Sequence, residues 1–147
     1  KRQLEEKQCL VDLQLENSPI MNLDKRALRM VFNNLISNAI RYSPVASSLN
    51  IHLHKNAKYW EVDFKDQGFG FEKKDIKKVF RKFYRVQNED TQNIEGAGLG
   101  LFISSEIVKN HKGRLKVSSP GRGRGSIFSV LLPVSREVEV VRQLDER

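Results

Sequence analysis

Four short motifs follow one another along this chain, and together they constrain its fold and function more than any other feature. Two are rich in glycine, one presents a polar helix face, and one combines aromatic with basic side chains. They span residues 34–42, 66–70, 80–85 and 96–101. Glycine lets the backbone come close to a ligand, and a glycine-rich segment that opens a helix offers free amide groups to phosphate. The set therefore indicates a phosphate-binding pocket covered by a lid.

Length and composition fit one globular domain. A chain of 147 residues buries roughly 68% of its unfolded surface, and 39% hydrophobic with 30% charged residues is typical of a soluble protein. No apolar run reaches the ~20 residues that span a bilayer, and the charged residues 1–7 do not resemble a signal peptide. The single cysteine, Cys9, fits a reducing compartment. We therefore expect a cytoplasmic domain.

The chain is basic, with a formal net charge of +8 at pH 7. This charge favours anionic partners: a nucleotide, an acidic protein surface, a nucleic acid or an inner-leaflet lipid. Basic side chains cluster between residues 73 and 85, and Arg122 and Arg124 alternate with glycines. The cluster fits a solvated helix face, or it supplies electrostatic attraction for a triphosphate or a docking partner. Composition leaves both interpretations open.

The predicted elements alternate between strands and helices. Period-two alternation predicts strands at residues 11–15, 49–53, 59–65, 115–118 and 126–132. Apolar spacing predicts helices at residues 25–42, 72–79 and 99–111, the first with Asp24 as its N-cap. The polar segment 87–97 is predicted to be a loop. Strands first and last, with three helices between them, favour an α+β fold, a two-layer α/β sandwich with the helices on one face of the sheet.

The first motif places three polar side chains on one face of a helix. Asn34, Asn38 and Arg41 are four and three residues apart, so they share that face. Amide oxygens suit Mg²⁺, which prefers oxygen ligands and keeps several waters. Alone, the motif is more typical of a helix with two solvent-facing asparagines. With the other three motifs present, it predicts a face turned toward a metal and phosphates.

The four motifs together resemble the N, G1, F and G2 boxes of the ATP-binding catalytic domain of sensor histidine kinases. That family belongs to a larger group that includes the gyrase B subunit and MutL. The resemblance covers residues 11–133. It implies a mixed sheet of about five strands under three helices, with ATP and Mg²⁺ as cofactors. It also implies a catalytic domain at residues 9–133, a linker at 1–8 and a charged tail at 134–147.

The resemblance assigns roles to the first motif and to its partners in the parent protein. Asn38 is the implied metal ligand, and Asn34 assists it. Arg41 stands where the family usually has lysine and would face the phosphates, and Tyr42 would pack against adenine. The implied partners are a histidine-bearing dimerisation domain of the same parent protein and a downstream response regulator. Any membrane contact would be made through other parts of the parent.

The first glycine-rich motif is implied to bind the base. Asp66 would accept a hydrogen bond from the adenine amine and would repel the carbonyl that guanine presents at the same edge. Gly68 and Gly70 would let the backbone pass close to the base with positive φ. Phe71 stands where the family commonly has a branched aliphatic side chain. Ser126, which follows the last glycine, could reach the adenine side of the pocket.

The second glycine-rich motif and the aromatic motif are implied to bind phosphate and to anchor the lid. Gly96, Gly98 and Gly100 open the last predicted helix, where amides and the helix dipole favour phosphate. Leu99 and Leu101 would anchor that helix in the core. In the aromatic motif, Arg85 would stabilise charge at the γ-phosphate. The remaining members, Phe80, Phe83 and Tyr84, would anchor the lid or contact the phosphoacceptor domain, or the phenylalanines would simply be core.

Two absences refine the expected reaction. The hydrolytic relatives carry a glutamate four residues before the metal-binding asparagine, and this chain has Asn34 there. Because an amide cannot take a proton at neutral pH, phosphoryl transfer to a protein is expected rather than hydrolysis. None of the three histidines lies in a phosphoacceptor-like segment. No zinc ligand set is predicted.

Two alternative functions stay open at the level of sequence. The first is a serine kinase of the anti-sigma type from the same superfamily, which the aromatic motif disfavours. The second is a basic, non-enzymatic nucleic-acid-binding module, suggested by the lysine cluster with Arg122 and Arg124. It lacks the aromatic side chains on which bases stack, so no direct nucleic-acid partner is expected.

Overall fold

The computed structural model describes residues 7–16 and 18–138. Within these ranges the chain forms five strands and three α-helices, and a 3₁₀ turn at Val134–Arg136 follows the last strand. The strands are β1 (Leu10–Leu15), β2 (Ser48–Lys55), β3 (Tyr59–Asp66), β4 (Arg114–Ser118) and β5 (Ser126–Pro133). The helices are α1 (Lys25–Arg41), α2 (Lys73–Ile76) and α3 (Gly100–Asn110). None of the helices in the described part is both long and apolar enough to cross a bilayer.

The strands form one mixed sheet in the order β1-β2-β3-β5-β4. The β1 strand runs parallel to β2, and the other neighbouring pairs are antiparallel. Alternate side chains of β2, β3 and β5 point to the helices and form the core with Val31, Leu35 and Val108. The predicted α+β sandwich, with a mixed five-stranded sheet and three helices, is confirmed.

Helix α1 begins and ends where local sequence signals place its ends. The Asp24 side chain caps it by accepting a hydrogen bond from the Ala27 amide at 3.1 Å. Leu28, Val31 and Leu35 follow at helical spacing, and all three are buried. The helix stops before Pro44, which cannot continue the backbone hydrogen bonding. Because the apolar side chains of α1 lie on one side of the helix, the opposite side is free to carry polar groups.

Helix α2 is shorter than predicted. The sequence indicated a helix at residues 72–79, but the α-helix covers only Lys73–Ile76. Turns follow in which hydrogen bonds join residues three apart instead of four. In them, the amides of Lys78 and Arg81 donate to the carbonyls three residues earlier. These turns bring Phe80 against Phe128 of β5, with ring centroids 6.3 Å apart. Tertiary packing therefore overrides the local helical pattern.

The chain segments before β1 and after β5 make specific contacts. The Lys7 ammonium donates to the carbonyls of Arg41 and Ser43 at the C-terminal end of α1, where the helix dipole favours a cation. Beyond β5, Glu137 accepts a hydrogen bond from the Trp60 indole at 3.0 Å. The rest of the predicted linker and tail, residues 1–6 and 139–147, lies outside the described residues.

Candidate functional site

A cavity of about 300 Å³ lies between α1, the start of α3, and the ends of β3 and β5. This volume is at the lower end of the usual range for ligand pockets. Every site residue predicted from the sequence lines it except Gly68. The lining members of that set are Asn34, Asn38, Arg41, Tyr42, Asp66, Gly70, Arg85, Gly96, Gly98, Leu99, Gly100, Leu101 and Ser126.

The polar face of α1 forms one wall of the cavity. Arg41 donates from Nη2 to the Asn38 side-chain oxygen at 2.8 Å and from Nη1 to the Glu95 carbonyl at 3.2 Å. Asn34 donates to the Ser104 hydroxyl on α3 at 3.2 Å. The oxygen that would serve as a metal ligand is thus held by a guanidinium. The oxygen has a second lone pair for a cation, but the positive charge of Arg41 beside it disfavours a cation until Arg41 turns away.

Arg41 also carries an unsatisfied donor. Its Nε atom is buried and has no hydrogen-bond partner among the described residues. Buried donors are nearly always paired in folded proteins, and leaving one unpaired costs about 1–3 kcal/mol. An anionic oxygen in the cavity would supply the missing acceptor. The Arg41 side chain is therefore suited to bind a phosphate group.

Asp66 lies at the other end of the cavity, where β3 ends. Its Oδ1 accepts hydrogen bonds from the amides of Gly68 at 2.8 Å and Ser126 at 3.2 Å. Its Oδ2 accepts from the Ser126 hydroxyl at 2.7 Å. Burial raises the pKa of Asp66 above its ordinary value, although these hydrogen bonds oppose the shift. The carboxyl is therefore oriented by three donors in a partly desolvated position.

The raised pKa of Asp66 has a defined consequence for stability. The folded state binds this proton more tightly than the unfolded chain does. The contribution to stability is therefore fully present below the ordinary aspartate pKa and is lost as the pH rises through the raised value. A charged Asp66 in this position destabilises the fold, which is typical of groups held in place for binding.

The first glycine-rich segment turns directly behind Asp66. Gly70 has φ of +66°, and a Cβ atom there would lie 2.3 Å from the Gly121 carbonyl oxygen. The expectation of positive φ is therefore met at Gly70 but is wrong for Gly68, which is not among the positive-φ residues. Gly68 is required for a different reason, because a Cβ atom would lie 2.5 Å from the Tyr42 carbonyl oxygen.

The loop at residues 119–125 supports this turn. The amides of Gly123 and Gly125 donate to the carbonyls of Phe69 and Gly68 at 2.6 and 3.0 Å. Arg122, which the sequence offered as part of a basic patch, forms an ion pair with Asp90 at 3.0 Å. The alternation of glycine and arginine thus has a structural role beside the cavity.

The second glycine-rich segment leads into α3. The helix begins at Gly100, and no side chain caps its N-terminus. Its first amides are therefore free of intrahelical partners, and they lie at the cavity wall with a partial positive charge. A Cβ atom at Gly100 would lie 2.4 Å from the Asn34 Oδ1 atom. Glycine at this position allows α3 to approach the polar face of α1.

The aromatic motif divides between the core and the surface. Phe80 packs on Phe128, whereas Phe83 is 64% exposed and has φ of +66°. The Phe83 amide donates to the Gly98 carbonyl at 2.9 Å. The core interpretation therefore holds for Phe80 and is wrong for Phe83. Phe83 is free to contact a partner.

The last two residues of the motif tie neighbouring segments together. The Tyr84 hydroxyl donates to the buried Asp75 carboxylate, and this hydrogen bond, with burial, raises the pKa of Tyr84 to about 12. Arg85 lines the cavity and donates to the Ile94 carbonyl in the adjacent loop. Arg85 therefore links the cavity to the loop at 87–97, which forms part of its wall.

Sequence reasoning missed part of the cavity wall. Thr91, in the polar loop at 87–97, is buried and donates to the Val86 carbonyl at 2.7 Å. Apolar residues complete the wall, but in the sequence they could not be distinguished from ordinary core positions. They are Ala39, Phe69, Phe71, Val79, Val86, Ala97 and Phe128. Only Phe71 had been singled out beforehand.

The family of the chain follows from a match that covers most of its length. Residues 23–136 match the family model described as histidine kinase-, DNA gyrase B-, and HSP90-like ATPase. The chain belongs to this family. The resemblance drawn from the four motifs is thereby confirmed.

Individual proteins are similar to it in sequence or in fold. The sensor histidine kinase WalK of Bacillus subtilis is 36% identical over 121 residues, which are 81% of this chain and 20% of WalK. The catalytic domain of histidine kinase ThkA superposes with a TM-score of 0.76 at 19% identity, covering 90% of this chain and 84% of ThkA's. Full-length ShkA in complex with AMPPNP gives 0.75 at 20% identity, covering 95% and 28%. The two structures establish the fold, and the chain spans about a fifth of WalK.

Proposed function

We propose that this domain binds Mg²⁺-ATP and donates the γ-phosphate to a histidine on a separate dimerisation domain. It would thus be the catalytic part of a two-component sensor histidine kinase. The observation that carries the proposal is the convergence of Asn38, Asp66 and the uncapped N-terminus of α3 on one cavity. The similarity to WalK, and the AMPPNP bound in the structure of ShkA, support it.

The two ends of the cavity suit the two ends of a nucleoside triphosphate. Asp66 would accept a hydrogen bond from the adenine amine, with Ser126 fixing its orientation. The phosphates would extend to the N-terminus of α3, where free amides and the helix dipole favour anions. Arg41 would turn its unpaired Nε, and the donors it now gives to Asn38 and Glu95, toward phosphate oxygens.

The magnesium ion would be held on α1. Asn38 offers a neutral amide oxygen to the metal, and Asn34 assists from one turn earlier. Mg²⁺ typically takes few protein ligands and completes its shell with waters and phosphate oxygens, so one or two amides are a sufficient donor set. When bound, the ion neutralises charge on the phosphates. Arg41 and the metal would share the triphosphate once Arg41 has released Asn38.

The side chains in the cavity favour transfer over hydrolysis. Asn34 occupies the place of the hydrolytic glutamate, hydrogen-bonds to Ser104 and cannot act as a general base. Arg85 would leave the Ile94 carbonyl and stabilise charge on the γ-phosphate. The nucleophilic imidazole and its base would come from the partner domain. Catalysis here would rest on positioning and charge.

The proposal includes the setting of the domain. Residues 9–133 would form the catalytic domain, with 1–8 linking it to the dimerisation domain of the same parent protein and 134–147 forming a charged tail. A response regulator would receive the phosphate downstream. The domain would work in the cytoplasm, with any membrane attachment made by other parts of the parent.

Slow phosphate release by the chain alone tests the absence of a hydrolytic base. With Mg²⁺-ATP, the unmodified chain and the Asn38→Ala variant are expected to release inorganic phosphate at the same slow background rate. The measurement is a continuous phosphate-release assay on both proteins at equal concentration. Rapid release that Asn38→Ala abolishes would show that the cavity itself hydrolyses ATP, and transfer would then not be its main reaction.

A further inference from the structure

The face of the sheet turned away from the helices carries a cluster of side chains of the types that bind metals. His52 and His54 project from β2, and Asp63 projects from β3 directly opposite His52 in the strand register. One ligand atom from each of the three lies within 4.8 Å of the others. All three side chains are partly buried, at 33%, 26% and 25% exposed. The sequence predicted no zinc ligand set, because the third member lies on another strand.

The distances within the cluster suit a single ion. The His54 Nε2 atom lies 2.8 Å from Asp63 Oδ2, and the two imidazole rings are 4.7 Å apart between centroids. A tetrahedral ion with bonds of about 2.0–2.1 Å holds its ligand atoms roughly 3.3 Å apart. Small rotations of the side chains would bring the three atoms to that separation. The exposed Glu16 side chain accepts a hydrogen bond from His52 at 3.2 Å. It lies outside the group of three mutually close ligand atoms and would have to turn toward the ion to bind it.

A second feature supports the cluster as a built site. The other oxygen of Asp63 accepts a hydrogen bond from the buried Ser129 hydroxyl on β5 at 2.6 Å. This contact fixes the carboxylate and directs Oδ2 to His54. Carboxylates that bind metals are commonly oriented by such hydrogen bonds, and losing one weakens metal binding about 10- to 100-fold.

The remaining histidine is differently engaged. The Nε2 atom of His111 accepts a hydrogen bond from the Asp24 amide at 3.0 Å, and its Nδ1 lies 2.8 Å from the Ile107 carbonyl oxygen. Both of its nitrogens are therefore used to hold the start of α1 against the end of α3. His52 and His54 are the two histidines whose ring nitrogens face acidic side chains across the sheet.

We propose that His52, His54 and Asp63 form a site for a zinc-like divalent ion, with Glu16 or water as the fourth ligand. Imidazole and carboxylate donors suit Zn²⁺, whereas Mg²⁺ prefers an all-oxygen octahedral shell. The site lies on the sheet face opposite the nucleotide cavity, since Asp63 and Asp66 are three residues apart on β3 and point to opposite faces. It is separate from the proposed magnesium site on α1.

Zinc titration of the chain tests the site. The experiments use a Cys9→Ala background, which removes the single thiol, and isothermal calorimetry with ZnCl₂ in a buffer that does not chelate. One zinc ion is expected per chain, with no competition from millimolar-scale Mg²⁺. His54→Ala and His52→Ala should each weaken binding more than tenfold, and Ser129→Ala about tenfold. Asn50→Ala, on the same strand and face, should bind as the parent does.

Cobalt(II) provides a spectroscopic check on the same proteins. Four-coordinate Co²⁺ bound to the parent should give intense visible absorption that both histidine variants lose, while Trp60 fluorescence reports that they remain folded. His52→Ala leaves the hydrogen bond between His54 and Asp63 in place, so it separates metal binding from local stability. Absence of saturable zinc binding by the parent would overturn the site. Zinc affinity unchanged in either histidine variant would overturn it as well.

Discussion

Replacing Asn38 by alanine should weaken Mg²⁺-dependent ATP binding about 10- to 100-fold, because a contact with a charged group contributes about 1.5–3 kcal/mol. The side-chain oxygen of Asn38 lies on the cavity wall and is now held by Arg41. In the variant, Arg41 keeps its positive charge for the phosphates, but the metal loses its protein ligand. The loss should therefore appear with Mg²⁺ present and be small when the ion is chelated.

Asn33→Ala is the matched control for this experiment. Asn33 lies on the same helix but is exposed to solvent, so the gain in helix propensity from asparagine to alanine is similar in both variants. Calorimetric titration with ATP, with and without Mg²⁺, measures the difference. If Asn38→Ala binds Mg²⁺-ATP as tightly as Asn33→Ala does, Asn38 is not the metal ligand.

Asp66→Asn should reduce the preference of the cavity for adenine over guanine. An asparagine keeps one oxygen for the amides of Gly68 and Ser126 but replaces the other with a donor. ATP affinity should fall about 10- to 100-fold, the expected loss for a charge-assisted hydrogen bond. GTP, which offers a carbonyl at the same edge, should gain relative to ATP. Competition against a fluorescent ATP analogue measures both ratios.

The opposite face of the same strand supplies the control, and pH supplies a second test. Asp63→Asn removes an equivalent charge from β3, three residues earlier, and should leave ATP affinity unchanged in zinc-free buffer. In the unmodified chain, ATP affinity should fall as the pH is lowered through the pKa of Asp66, which burial raises above the ordinary aspartate value. If GTP competes as well as ATP for the unmodified chain, Asp66 does not recognise the base.

Local signals in the sequence were sufficient for most of the fold. Asp24 and Pro44 set the ends of α1, and alternation in β2 and β3 indicated both strands and their buried faces. Helix α2 was overestimated because its apolar spacing continues through Val79. Burial of Phe80 against Phe128 bends the chain before another helical turn can form, and no local pattern contains that contact.

The candidate site was predictable in composition but not in its contacts. Family motifs pointed to Asn38 and Asp66, yet the hydrogen bonds from Ser126 to Asp66 join residues that only the pairing of β3 with β5 brings together. Thr91 looked like any polar loop residue until its burial was known. The cluster of His52, His54 and Asp63 likewise depends on strand register. A shift of one residue in the pairing of β2 with β3 would place the histidines and Asp63 on opposite faces of the sheet.

Transfer of the γ-phosphate to a histidine is the central claim, and one labelling experiment tests it most directly. The chain is incubated with γ-labelled ATP and Mg²⁺, alone and with a histidine-bearing dimerisation domain from its parent protein. The account predicts no label on the chain alone and label on the second domain only when both are present. That label should be lost in acid and kept in base, as expected for a phosphorus–nitrogen bond. Acid-stable label on either protein would contradict transfer to histidine and would indicate a hydroxyl acceptor.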